Sequence, residues 1–302
     1  MTDSPSPAAV AKPDNRPGLT RVEQVNVGIV ERWHSVQVLS SVSTWLARNV
    51  ARRQYEMILR NILADYHFER LSKANYDNGI LICANHRSYI DNFSLAIRSM
   101  RYIPPHVRLL APARTEGLFD KPWGIVLNFF LTYMNMYPPV VRSSRGAVWG
   151  KRVIQILTDL LHRGRIAIFI HPEGGRNKGS DPYDLLPAKP GLGKIIHSTR
   201  CEVFPVFLQG FPREPKKFLR ANYSTQGKKE PLVHAVMGES IDFSAERAQP
   251  ASPEIYREIG RRLMNAIVQA SIEERQIRAA LNEGSARNAS GQVVSAGSTE
   301  GR

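Results

Sequence analysis

A histidine and an aspartate five residues apart, His86 and Asp91 within Asn85-His86-Arg87-Ser88-Tyr89-Ile90-Asp91, have the types and spacing of a general base and its orienting group. The carboxylate would fix the imidazole tautomer and support the imidazolium that forms when the base takes a proton. Residues five apart do not share a face of a regular helix, so His86 must precede the helix and Asp91 must sit in its first turn. Ser88 and Asp91 match a capping-box pattern that starts a helix at about Tyr89. The same residues admit a plain structural reading, in which Asp91 only caps a helix and His86 is a satisfied polar group at a strand end. Ser88 reads as the cap and not as a nucleophile, because nothing like Gly-x-Ser-x-Gly surrounds it.

A second charged turn, His171-Pro172-Glu173-Gly174-Gly175-Arg176, could hold an anionic substrate. Adjacent glycines let backbone come close to a ligand and present its N–H groups. Arg176 can grip a phosphate with two parallel hydrogen bonds, and Glu173 could orient Arg176 or accept a substrate hydroxyl. The plain alternative is a surface turn closed by a Glu-Arg pair.

Both turns follow short apolar runs, Ile80–Ala84 and Ile166–Ile170, which read as buried strands. Residues 107–110 and 203–208 are further strand candidates. Residues 148–162 read as a helix closed by Gly164. Alternation of this kind predicts an α/β fold with a mostly parallel central sheet flanked by helices. Ligands bind such sheets beyond the carboxyl ends of the strands, where both turns fall.

An N-terminal amphipathic helical segment precedes that domain. Residues 19–73 carry apolar side chains at helical spacing (Val22, Val25, Ile29, Trp33, Val36, then Tyr55, Ile58, Leu59, Ile62, Tyr66), with Arg48, Arg52, Arg53 and Arg60 between. These helices could lie in a membrane interface or simply pack on the domain. The expected organisation is a disordered 1–18, the helical segment 19–73, a catalytic domain over 74–245, a helix over 253–281 and a disordered tail over 282–302. The longest uncharged stretch, residues 122–141, contains Asn128, Asn135 and Pro138-Pro139. It reads as a buried or interfacial hairpin and not as the ~20 mainly apolar residues of a spanning helix.

Formal net charge is +14, from 41 Lys and Arg against 27 Asp and Glu, so the surface favours polyanions. No nucleic-acid-binding motif accompanies the charge, and anionic lipid is the expected partner. Cys83 and Cys201 both sit in apolar runs, as small core residues of a reducing compartment. The histidines lack metal-ligand spacing, and the start of the chain lacks the layout of a signal peptide.

In order and placement the two turns resemble the glycerolipid acyltransferases typified by lysophosphatidate acyltransferase. Asn85 to Asp91 meets the first family motif, Asn-His-x-Ser-x-x-Asp, in full. His171 to Arg176 meets aromatic-Pro-Glu-Gly-Thr-Arg with two departures, His171 for Phe and Gly175 for Thr or Ser. Tyr137 to Arg142 loosely matches a strand ending in Arg, and Phe204-Pro205-Val206 an apolar strand with Pro-Val. The resemblance implies that His86, oriented by Asp91, deprotonates an acceptor hydroxyl that attacks an acyl thioester directly. It implies acceptor binding by Glu173, Gly174 and Arg176, help with phosphate from Arg142, and Pro205 on the acyl-donor side. The co-substrate would be acyl-CoA or acyl carrier protein, with no cofactor. The acceptor would be a lysolipid, lysophosphatidate by default, or else a lyso-aminolipid, glycolipid or secondary metabolite. The chain would act peripherally at the cytoplasmic face of a membrane. A non-catalytic polyanion-binding protein is the rival from another class.

Overall fold

The computed structural model describes residues 16, 18–59, 62–116, 118–141, 146–211 and 233–296. Strand β2 (Ile80–Ala84, after a short β1 at Leu63–Tyr66) is buried at all five residues. Unbroken apolar character marks a strand covered on both faces. It pairs in parallel with Ile166–Ile170 on one side and with Glu202–Gln209 on the other.

In chain order the remaining strands are β3 (Arg108–Arg114), β4 (Met136–Val140), β5 (Ile166–Ile170), β6 (Glu202–Gln209) and β7 (Val233–Met237). The described residues form one seven-stranded sheet in the order β1-β7-β6-β2-β5-β3-β4. Every pairing is parallel except β6 with β7. Because Cys83 lies opposite Ile170 in the register, β2 and β5 end side by side. The chains leaving them, with His86 and His171, are therefore neighbours.

Alternate residues of β2 face opposite layers, as the strand period requires. Leu81 and Cys83 pack with α6 (Trp149, Leu157, Leu161), α7 (Ile195, Ile196) and the C-terminal helix α8 (Ile259, Leu263, Ile267). These helices span Gly146–His162, Pro190–His197 and Pro253–Ala296. Ile80, Ile82 and Ala84 face the other layer, with Ala51, Leu59, Phe68, Leu95 and Ile97. The α6 helix closes at Gly164, whose φ of +67° suits glycine, as its sequence position predicts. Helices α7 and α8 touch backbone to backbone at Gly193, where an added Cβ would stand 2.0 Å from the Tyr256 carbonyl oxygen.

The N-terminal segment is α1 (Arg21–Ser35), α2 (Gln37–Leu46) and, after a π-helical turn at Ala47–Ala51, α3 (Arg52–Leu59). A capping box between Thr20 and Glu23 starts α1. The segment packs on the domain. Asn26 donates to the carbonyls of Phe119 and Lys121, and the Arg48 guanidinium to those of Ile103, Pro104 and Val107. The packed helices nevertheless leave Val38, Trp45 and Met57 largely exposed. After them come α4 (Asp91–Ser99) and α5 (Gly124–Thr132).

Three expectations are corrected. Residues 63–66, read as helical, form β1, because parallel pairing with β7 supplies ladder hydrogen bonds that local spacing does not forecast. Residues 122–141 hold a helix followed by a strand, not a hairpin. After α5 the chain turns at Tyr133 and Met134, both at positive φ, and β4 runs parallel to β3. No helix among the described residues is long and apolar enough to cross a membrane. The C-terminal helix continues past 281 to Ala296, since no proline interrupts it. Of the stretches read as disordered, residues 1–15, 17 and 297–302 lie outside the described residues, whereas Arg16, within 1–18, is buried and paired with Glu31.

Replacing Gly193 by Ala must push α7 away from α8, at an expected loss of about 1–3 kcal/mol. Urea denaturation midpoints measure this, and an unchanged midpoint would contradict the close packing of the two helices.

Candidate active site

His86 is held by its backbone before its ring is considered. Just ahead of it, buried Asn85 donates to Leu208 O (3.0 Å) and accepts from Leu208 N (2.7 Å), tying the end of β2 to β6. The His86 N–H then donates to Glu173 Oε1 (3.1 Å), and its carbonyl accepts from Asn177 N (2.7 Å). The loop after β5 thus grips the His86 backbone from both sides. Nδ1 lies 3.0 Å from Asp91 Oδ2. The same oxygen accepts the N–H groups of Arg87 and Ser88, each at 2.7 Å.

The pair that spacing forecasts is formed, but the helix start differs. Helix α4 begins at Asp91, with Ile90 as N-cap and no side-chain cap. Ser88 does not cap it. Its hydroxyl accepts from Ile90 N at 3.4 Å, while the Asp91 carboxylate gathers the N–H groups of the preceding turn. That reach back is what brings Asp91 to His86.

Burial pushes the Asp91 carboxyl up to about 6. His171, the two N–H donors and Arg176 pull against that rise, so the group stays mainly ionised at neutral pH. A carboxylate on Nδ1 places the proton there and leaves Nε2 as the basic nitrogen. His171 stacks on His86, ring centroids 3.9 Å apart and 6° from parallel. Its Nδ1 lies 2.8 Å from Ala84 O, and burial, then the neighbouring His86, lowers it to about 4. It is therefore a neutral ring at working pH.

Burial raises Glu173 to about 7, against the N–H groups of His86 and Leu186 that bond it. Its described hydrogen bonds go to backbone and none to Arg176, so it brackets the two loops. Gly174 has φ +65°, and an added Cβ would meet Lys189 Cγ at 2.8 Å. Arg176 lies over the Tyr89 ring, Cζ 3.6 Å from its centroid, and donates to the Tyr89 hydroxyl at 2.8 Å. That is one of the guanidinium's five donors.

Arg142 lies outside the described residues. Pro205 is buried in β6 opposite Cys83, its carbonyl accepting from Gly238 N at 2.8 Å. Four residues of the site were not singled out from sequence: Asn85, Arg87, Tyr89 and Asn177. The Arg87 guanidinium donates to the carbonyls of Gly179 and Asp181, fastening the far end of the second loop. The first three lie inside the first motif, which is the only signal that could have found them.

An apolar pocket runs along α4, the helix whose first residue is Asp91. Asn92, Phe93, Ala96, Ile97 and Met100 of α4 and its end form one wall. Ala47, Ala51 and Tyr55 of the N-terminal segment form another, and Leu109, Met136 and Phe169 line it from the sheet side.

A histidine on a buried carboxylate, with a guanidinium near that carboxylate, stands at the strand ends of an open α/β sheet, where such sheets hold their ligands. Residues 65–209 match the family model described as Acyltransferase, and the chain carries a domain of the glycerolipid acyltransferase family. It is the domain of a lipid acyltransferase.

The pH dependence of Glu173 has a definite sign. Its folded-state value, about 7, lies above the ordinary 4.5, so its bound proton favours the fold. That contribution is full below pH 4.5 and is lost as pH rises through about 7. Glu173→Gln should gain stability relative to wild type across this window, by roughly 1–3 kcal/mol. Urea unfolding at stepped pH measures it, and a pH-independent difference would refute the assignment.

Proposed function

We propose that the protein moves a fatty acyl group from acyl-CoA or acyl carrier protein to a hydroxyl of a lysolipid, with lysophosphatidate as acceptor and phosphatidate as product. The observation that carries this reading is the His86–Asp91 pair at the end of β2, beside Arg176 from the end of β5. In the proposed step His86 Nε2 takes the hydroxyl proton as the oxygen attacks the thioester carbonyl. The tetrahedral intermediate collapses with cleavage of the C–S bond. The leaving thiolate recovers the proton from the imidazolium, and the base is restored without an acyl-enzyme. A positioned base supplies ~10²–10⁴-fold of rate.

Arg176 suits a phosphate because its fork can make paired, charge-assisted hydrogen bonds beyond the one to Tyr89. The apolar pocket starting at Asn92 and Phe93 supports a fatty chain as the transferred group. Gly175, which lacks the hydroxyl usual in the family motif, favours a second reading in which the acceptor is a lyso-aminolipid, glycolipid or secondary metabolite.

The membrane is the proposed partner. Trp45 (59% exposed), Trp123 (57%) and Phe130 (68%) lie on α2, beside α5 and on α5. Both α2 and α5 are joined to α1, through Ser43 and Phe129 on Trp33. Bulky apolar side chains on joined elements of a chain carrying +14 suit an anionic leaflet, and the cytoplasmic face is the proposed location.

Acyl transfer from palmitoyl-CoA and palmitoyl acyl carrier protein to a lysolipid panel tests the chemistry. His86→Ala should lose ~10²–10⁴-fold of the rate, and transfer at the wild-type rate would end the assigned mechanism. Arg176→Ala should raise KM for phosphate-bearing acceptors by about tenfold or more. An equal effect on phosphate-free acceptors would favour the second reading. In flotation assays, Trp45→Glu with Phe130→Glu should cut recovery with vesicles containing phosphatidylserine. Unchanged recovery would remove this surface from the membrane contact.

A further inference from the structure

His171 takes no part in the mechanism above, yet it is the ring closest to the base. Its centroid stands 3.9 Å from that of His86, with the planes 6° apart. The ring is fixed there, since Nδ1 from the end of β5 reaches Ala84 O at the end of β2, at 2.8 Å. The bond makes Nδ1 the donor and leaves Nε2 unprotonated. Nε2 is buried and has no hydrogen-bond partner. A buried nitrogen without a partner is costly, and within the described structure Nε2 does nothing to offset it. What the ring does make is a flat contact with the base.

Asp91 holds His86 through a single ring atom, Nδ1. A hydrogen bond at Nδ1 fixes that atom, and a flat contact on the ring face adds a constraint against rocking about it. We propose that His171 is a positioning residue for the base, its pinned ring acting as the flat stop that keeps the His86 imidazole where Nδ1 meets Asp91. This rests on the reading of His86 as the base. Among the described residues, the other charged and titratable groups around the pair include Asp91 on α4, Arg87 after β2, and Glu173 and Arg176 after β5. His171 lies flat on the His86 ring. Because His171 stays neutral above about pH 4, it adds no charge to oppose the imidazolium.

Two substitutions separate the face from the anchor. His171→Phe keeps a flat ring and loses the donor to Ala84, whereas His171→Asn keeps a donor and loses the ring. With palmitoyl-CoA and oleoyl-lysophosphatidate as probes, Phe should rescue kcat to within about threefold of wild type, and Asn should lower it about 10–100-fold at unchanged KM. The acid limb of the kcat profile should move to higher pH in Asn, as water reaches the uncovered face and solvates the imidazolium. It should stay in place in Phe. Independently of any acceptor, ¹⁵N-histidine spectra should keep the Nδ1–H signal of His86 in Phe and lose it in Asn.

Wild-type kcat with an unmoved limb in Asn would overturn the proposal. So would a folded Phe variant as impaired as Asn, and Phe decides alone if Asn does not fold. If His86→Ala is itself active, the base reading fails. If His86→Ala is inactive while His171→Asn matches wild type, only the role of His171 fails.

Discussion

Asp91 Oδ2 accepts three N–H donors at once, from the His86 ring and from the backbone of Arg87 and Ser88. This one oxygen folds the chain after β2 back on itself and orients the His86 ring in the same stroke. Burial makes the charge costly, and the N–H donors and Arg176 offset part of that cost. A carboxylate less well supplied with donors would take up a proton and release the ring. One that stood in open water would lose most of its hold on the ring. The geometry of the loop and the electrostatics of the base are therefore one constraint seen twice.

Around that oxygen the sheet supplies the rest. Parallel, in-register pairing of β2 with β5 makes their two exit loops neighbours. Cross-links then fasten the loops to each other, through Glu173 to His86 N, Asn177 N to His86 O and His171 to Ala84 O. Most of the polar atoms of the second turn are thus spent on holding the first. This explains why a turn read from sequence as a substrate-binding element contains so much structural bonding. Arg176 is the residue whose charged group remains oriented by a single side chain, Tyr89.

Legibility followed the range of the interactions involved. Ile80–Ala84 and Ile166–Ile170 could be delimited to the residue because strands buried on both faces leave unbroken apolar runs. His86 and Asp91 could be paired because the argument needed only local spacing. The start of α4 was misjudged by two residues, since a serine three positions before an acid signals a cap whether or not the acid is needed elsewhere. Strand β1 was missed because its partner, β7, lies far along the chain, and pairing at that distance leaves no periodicity in residues 63–66. The stacking of His171 on His86 was equally invisible. It follows from the β2–β5 register, and the sequence offered only a ring in place of another ring.

Helix α4 joins the two halves of the site. Its first residue is the carboxylate, and Ala96 and Ile97 a turn further on wall the apolar pocket. The opposite wall, Ala47, Ala51 and Tyr55, comes from the N-terminal segment, which Arg48 clamps to the carbonyls of Ile103, Pro104 and Val107. The Arg48 guanidinium is spent on backbone carbonyls and so fixes that wall of the pocket, while Val38, Trp45 and Met57 of the same segment stay exposed. The helices before β1 are consequently part of the site's architecture. Any displacement of them would open the pocket along α4, the helix that begins with Asp91.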